Sequence, residues 1–123
     1  WGHPVGDQVI RYVASTLLGG APPTALAARH GGEEFALVLP QTDVAEALTI
    51  AETLRQKIRA RTLSRKSSGE LIGTVTISAG VAVLKAGEGR ESLVRRADAC
   101  LYQAKKSGRD RVIGEASSSA AAA

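Results

Sequence analysis

Two adjacent glycines, Gly31-Gly32, followed at once by two glutamates, Glu33-Glu34, separate two strand-like runs, and no other feature constrains the fold as tightly. Residues 25–30 are mostly apolar, and Phe35-Ala36-Leu37-Val38-Leu39 is a continuous apolar run stopped by Pro40. The pattern predicts a β-hairpin with a tight two-residue turn, because paired glycines reach the positive φ values such a turn demands. Successive strand side chains point to opposite faces, so Glu33 and Glu34 cannot face solvent alike, and one is expected to point into a polar site. Two anions this close repel unless a cation sits beside them, and hard ions such as Mg²⁺ favour carboxylate oxygens. The glycines would let a bulky ligand approach the backbone and would leave amide groups free to meet phosphate oxygens. Turn chemistry alone favours an ordinary hairpin with a solvated acidic flank.

A chain of 123 residues suits one domain with one core. Aromatic residues are scarce, so that core must rest on Val, Leu, Ile and Ala. The single cysteine, Cys100, has no internal disulfide partner and falls in a helical pattern where a small buried hydrophobe serves. No apolar run approaches the roughly 20 residues that span a bilayer, so the domain is expected to be cytoplasmic and without membrane contact of its own. The net charge of +4 is uneven. Arg55, Lys57, Arg59, Arg61, Arg65 and Lys66 form one run, and Arg95, Arg96, Lys105, Lys106, Arg109 and Arg111 form another. Without interleaved aromatics to stack bases, neither argues for nucleic acid as a partner.

Helical spacing of Val9, Ile10, Val13, Ala14, Leu17 and Leu18 predicts a helix from Asp7, stopped by Gly19-Gly20 and Pro22-Pro23. After the hairpin, Thr42-Asp43 offers an N-cap, with Glu46 placed as in a capping box. A second amphipathic helix then carries Val44, Ala47, Leu48, Ala51, Leu54 and Ile58. Residues 61–70 read as a polar loop. Residues 74–83 alternate as one long strand whose second face is small: Thr74, Thr76, Ser78, Gly80 and Ala82. A third helix through Leu93, Val94, Ala97, Leu101 and Ala104 should end at Gly108, and a short strand should follow at residues 111–113. Residues 116–123 are low-complexity Ser and Ala, expected to be disordered. With a strand placed ahead of the first helix, this order becomes strand-helix-strand-strand-helix-strand with a terminal addition, a split βαβ arrangement.

Four blocks in order resemble the GGDEF domain of the diguanylate cyclase family. Residues 1–7 are similar to its G-H-x-x-G-D segment, residues 29–35 to its R-x-G-G-[DE]-E-F signature, and residues 74–81 to its T-[IV]-S-x-G-V strand. Residues 97–112 are similar to its A-D-x-A-L-Y-x-A-K-x-x-G-R-N-x-V stretch, with Cys100 and Asp110 as departures. The resemblance implies an α+β fold, a ferredoxin-like βαββαβ nucleotide-cyclase (palm-like) domain over residues 1–115, here lacking its first strand and first helix. It implies condensation of two GTP into cyclic di-GMP and pyrophosphate. The alternative is a non-catalytic GTP-binding or regulatory GGDEF domain.

The same resemblance implies the site. Glu33 and Glu34 would be the catalytic, metal-binding acids, holding Mg²⁺, two ions per active site, with Mn²⁺ as an alternative. Gly31 and Gly32 would leave room for phosphates, and Phe35 would fill the core beneath. Asp7 would accept hydrogen bonds from guanine, against the simpler reading that it caps the first helix, and His3 would line the same pocket or lie on the surface. Lys105 and Arg109, four apart and on one helical face if the helix persists, would reach the triphosphate; otherwise they only complement a helix end. Partners implied are GTP, a second GGDEF domain in a homodimer, and an upstream sensory or receiver module in a longer protein, soluble or membrane-anchored. In the family a preceding strand carries a metal-binding aspartate, and the next helix leads to a guanine-binding asparagine. Neither lies in this chain, so the chain alone is expected to have little or no cyclase activity. The R-x-x-D product-inhibition motif falls on Pro22-Pro23-Thr24-Ala25, so tight product binding there is not expected.

Overall fold

A computed structural model describes residues 3–115, with side chains from Val5 onward. The order is α1 (His3–Gly20), β1 (Leu26–Arg29), β2 (Phe35–Val38), α2 (Val44–Arg59), β3 (Thr62–Ser64), β4 (Leu71–Thr74), β5 (Ala79–Val81), α3 (Arg90–Lys106) and β6 (Val112–Gly114). Among the described residues the strands form three two-stranded ladders: β1 with β2 and β3 with β4 antiparallel, β5 with β6 parallel. The chain folds as two units, one from residues 3–41 with 56–75, the other from 42–55 with 76–115. The expected low-complexity tail lies outside the described residues.

In the first unit, α1 buries one stripe, Val5, Val9, Val13 and Leu17, each four residues after the last, as an amphipathic helix must. Leu18, one position off the stripe, is left exposed. Polar side chains then tie α1 to its surroundings. The Tyr12 hydroxyl donates to Ile58 O at 2.7 Å, taking up a carbonyl at the C-terminal end of α2 that has no partner within the helix. Arg61 lies over the Tyr12 ring at 5.9 Å. Gln8 spans both ends of one short segment: its Nε2 donates to Ser64 O at 2.7 Å, and its Oε1 accepts from Lys66 N–H at 3.2 Å.

Two expectations about strands are corrected here. Residues 61–70, read as a loop, contain β3, because Thr62 and Leu63 pair with Thr74 and Gly73. The single long strand expected over 74–83 is two strands in separate ladders. β4 ends at Thr74, the chain runs without regular structure through residues 75–78, and β5 starts at Ala79. Alternation shows which side chains share a face, and Val75 is indeed buried, but it does not show where a strand changes partner.

In the second unit, Asp43 Oδ1 accepts from Glu46 N–H at 2.8 Å, so the predicted N-cap forms. Ala47 and Leu54 of α2 and Cys100 and Ala104 of α3 are buried, as their helical spacing requires. The small face of β5 lies close against α3: a Cβ added to Gly80 would stand 2.2 Å from Ala97 O and 2.3 Å from Leu101 N, both backbone atoms of α3. At β6 the neighbour is a side chain of α2, since a Cβ on Gly114 would meet Leu48 Cδ2 at 2.5 Å.

The loop between β5 and α3 is anchored by one carboxylate. Arg96 Nε donates to Glu88 Oε2 at 2.8 Å, Ser92 Oγ donates to the same oxygen at 2.6 Å, and Lys85 N–H donates to Oε1 at 3.0 Å. Arg96 reaches on to Val83 O at 2.7 Å and to Glu115 beside β6. Arg96 first, then Ser92 and the Lys85 N–H, hold the Glu88 carboxyl well below the usual carboxylate range. Burial pushes the Cys100 thiol up, the state of an inert packing residue.

Gly80→Ala is expected to lose about 3 kcal/mol, because rigid backbone must move to admit one methyl. Gly6→Ala, inside α1 with open space around it, is expected to gain about 1 kcal/mol; thermal or urea unfolding reads both. Because the folded Glu88 carboxyl is depressed, its stabilisation is complete above the free-glutamate value of about 4.3 and drains away as pH falls below it. Unfolding midpoints measured from pH 7 down to pH 3 should therefore fall, and Glu88→Gln should lower the neutral midpoint while flattening that descent.

Candidate functional site

The acidic pair sits in a loop rather than on a strand. Arg29 pairs with Phe35, so residues 30–34 form a five-residue connection, not the expected two-residue turn. His30 N–H donates to Glu34 O at 2.6 Å across its neck, and Arg29 Nη2 donates to Gly32 O at 2.7 Å, closing the loop from outside. Gly31 alone of the two glycines has a positive φ, +92°, a conformation that L side chains rarely adopt. Gly32 answers to no such strain. An added Cβ would meet nothing within 4 Å at either position, so the loop leaves open space on the glycine side.

Glu33 is exposed and Glu34 half-buried, so the two acids do face different surroundings. Phe35 and Leu37 are half-buried on one face of β2, and Ala36 and Val38 are exposed on the other. Phe35 therefore supports the loop from partial cover rather than from a sealed core. Carboxylate oxygens are the donors that hard divalent cations such as Mg²⁺ favour, so the chemistry of these two side chains suits that kind of ion. Among the described residues no group of three or more His, Cys, Asp or Glu gathers as a complete metal cage.

Asp7 belongs to the same unit. The helix begins at His3, four residues before Asp7, which places Asp7 exposed in the second turn and removes the capping reading. The side chain of His3, the other predicted pocket residue, lies outside the described residues. Residues 22–25 close a turn through Ala25 N–H to Pro22 O at 2.9 Å and carry no charged side chain.

Lys105 and Arg109 stand on the other unit, and the premise that put them on one helical face is corrected. α3 ends at Lys106, with Ser107 as its C-cap donating N–H to Gln103 O. Arg109 follows in a left-handed turn: φ is 125° at Gly108, 62° at Arg109 and 48° at Asp110. Arg109 N–H donates to Ala104 O at 2.9 Å, so the turn folds back on the helix end, and the Arg109 side chain is exposed. Lys106 lies over the Tyr102 ring at 5.4 Å. Arg111 Nε donates to Arg109 O at 3.0 Å.

Sequence reasoning missed Arg55. It belongs to the basic run ending at Lys66, yet its side chain is only 12% exposed and bonded to Glu52 and Asp110. The signal was the departure at Asp110 itself, an acid where the family pattern has an asparagine. Among the described residues no helix is long and apolar enough to cross a membrane.

The family model "Diguanylate cyclase, GGDEF domain" matches residues 1–111. Diguanylate cyclase VdcA of Vibrio cholerae is 42% identical over 113 residues, covering 92% of this chain and 33% of the relative. Response regulator PleD of Caulobacter vibrioides is 42% identical over 118 residues, covering 94% of this chain and 26% of the relative. The chain thus spans a third or less of the length of these curated relatives. Among solved structures, the GGDEF domain of DgcB from Caulobacter crescentus in complex with c-di-GMP superposes with a TM-score of 0.89 at 46% identity, covering 93% of this chain and 67% of that one. The active GGEEF domain of a diguanylate cyclase from Vibrio cholerae gives 0.78 at 33% identity, covering 93% and 70%. The small sheets and flanking helices are accordingly those of the nucleotide-cyclase palm fold, and the chain belongs to the GGDEF domain family of diguanylate cyclases.

Proposed function

We propose that these residues form the nucleotide-binding and catalytic part of a diguanylate cyclase, which joins two GTP molecules into cyclic di-GMP with release of pyrophosphate. The observation that carries the reading is the glycine loop, with open space at Gly31 and Gly32 and two carboxylates next to it. Each 3′-hydroxyl oxygen bonds to the α-phosphorus of the other nucleotide, and the bond from that phosphorus to the pyrophosphate oxygen breaks. Glu33 and Glu34 would supply oxygens for Mg²⁺, two ions per site, or for Mn²⁺ in its place. When bound, the metal neutralises phosphate charge and eases loss of the hydroxyl proton.

The other residues bind and orient. Gly31 and Gly32 let phosphate oxygens approach backbone that a side chain would shield. Asp7, exposed on α1, accepts from the guanine N1–H and amino group, a donor pair adenine lacks, and so selects the base. Lys105 and Arg109 balance the triphosphate, Arg109 by its planar fork and Lys105 as a point charge. Since each domain holds one GTP, turnover requires a second copy facing the first, in a homodimer. In a longer cytoplasmic or membrane-anchored protein, a sensory or receiver module would govern that pairing. The carboxylate pair being no complete metal cage by itself, the isolated chain is expected to turn over little GTP.

Calorimetric titration tests the reading without relying on turnover. GTP should bind more tightly with Mg²⁺ than without it, and more tightly than ATP. The pair Glu33→Gln and Glu34→Gln should remove the Mg²⁺ effect, and Asp7→Ala should cut the preference for GTP over ATP by about tenfold, the worth of hydrogen bonds to a charged group. Retention of both preferences in these variants would overturn the assignment.

A further inference from the structure

We propose that Arg55 is a positioning residue for Arg109, acting through Asp110; the claim rests on the proposed contact of Arg109 with the triphosphate. Three consecutive residues, Gly108, Arg109 and Asp110, hold positive φ. Glycine tolerates this freely and aspartate partly, but an arginine in the left-handed region is disfavoured, so the turn needs an external hold.

Arg55 supplies that hold. Its Nε and Nη2 donate to the two carboxylate oxygens of Glu52, at 2.8 and 2.6 Å, a bidentate grip one helical turn away on α2. The guanidinium is planar and rigid, so fixing one edge on Glu52 aims Nη1 outward. Nη1 donates to Asp110 Oδ1 at 2.7 Å and approaches Asp110 O at 3.4 Å. The arginine is well covered, and both acids together hold it charged. On the far side of the turn, Arg111 Nε donates to Arg109 O, while its Nη2 lies 2.6 Å from where a Gly108 Cβ would stand. The backbone of Arg109 is thus held from both sides, which fixes the point from which its exposed side chain departs. Asp110 explains itself in this light: it accepts positive φ and gives Arg55 a charge-assisted partner.

A merely structural ion pair would support the fold and every ligand alike. A positioning pair should act on phosphate alone and only through Arg109. The experiment uses the full chain, with GTP and guanosine as probes in the presence of Mg²⁺, in wild type, Arg55→Gln, Asp110→Ala, Asp110→Asn, Arg109→Ala and the double variant Arg55→Gln/Arg109→Ala. Arg109→Ala and Arg55→Gln should each weaken GTP binding about tenfold, the scale of a lost charge-assisted contact, and leave guanosine binding unchanged. The double variant should bind GTP no worse than Arg109→Ala. Asp110→Asn, which keeps an acceptor oxygen and tolerates the turn, should stay close to wild type, whereas Asp110→Ala should follow Arg55→Gln. Amide hydrogen exchange at residues 108–111 should accelerate in Arg55→Gln. Equal losses for guanosine and GTP, multiplied losses in the double variant, or unchanged exchange would overturn the positioning role. GTP binding unaffected by Arg109→Ala would instead sink the functional reading on which it rests. Should Arg55→Gln not fold, Asp110→Ala carries the same comparison from a more exposed site.

Discussion

The contact between the backbone of β5 and that of α3 organises the chemistry of the second unit. Because Gly80 has no side chain, the strand rests directly on the carbonyl of Ala97 and the amide of Leu101. Contact between two backbones has no flexible end to yield, so it sets helix against strand more firmly than interlocking side chains would. α3 then delivers its last turn, with Lys105, and the left-handed turn after it to a defined place beside β6. Ala79 N–H donates to Arg111 O at 3.0 Å, so the strand that fixes the helix also fixes the chain leaving it.

The elements visible in the sequence were those whose determinants are local. Asp43 caps α2 through its own side chain, and the buried stripe of α1 and the buried positions of α2 and α3 follow helical spacing. The hidden features depend on partners distant in sequence. β3 exists because residues 62–64 find β4, and the break after Thr74 exists because the chain changes ladders there, neither of which alternation records. α1 starts at His3 rather than Asp7, and Val5 already shares the helical phase of Val9.

The same division runs through the site. The Gly-Gly-Glu-Glu motif pointed to a hairpin loop with two carboxylates, and those residues lie there. Its length escaped notice because it depends on the His30 and Glu34 backbones bonding across the neck, and only one glycine was needed for positive φ. Arg109 was placed on a helix because Lys105-to-Arg109 spacing matches one; the helix stops first, since Ser107 and Gly108 cap it. Arg55 could not be found by composition, which counts it with five other bases as surface charge. What distinguishes it is a pair of acids, one three residues away and one 55 residues away.

The acidic and the basic segments of this chain are built differently, each within its own unit. The acidic one is a short loop with open space at its glycines, tied by the His30–Glu34 backbone bond and by Arg29. The basic one is a helix end followed by a turn that is unfavourable for its own residues and is held by the Arg55–Asp110 ion pair. Their demands are unequal. A carboxylate can reach a hydrated cation through several geometries, because water completes the coordination. An arginine fork must meet its phosphate in one plane, so its backbone has to be set beforehand. Backbone restraint is accordingly dense around Arg109, where the glycine-arginine-aspartate turn, the Arg55 grip and Arg111 converge, whereas Glu33 is exposed on its loop.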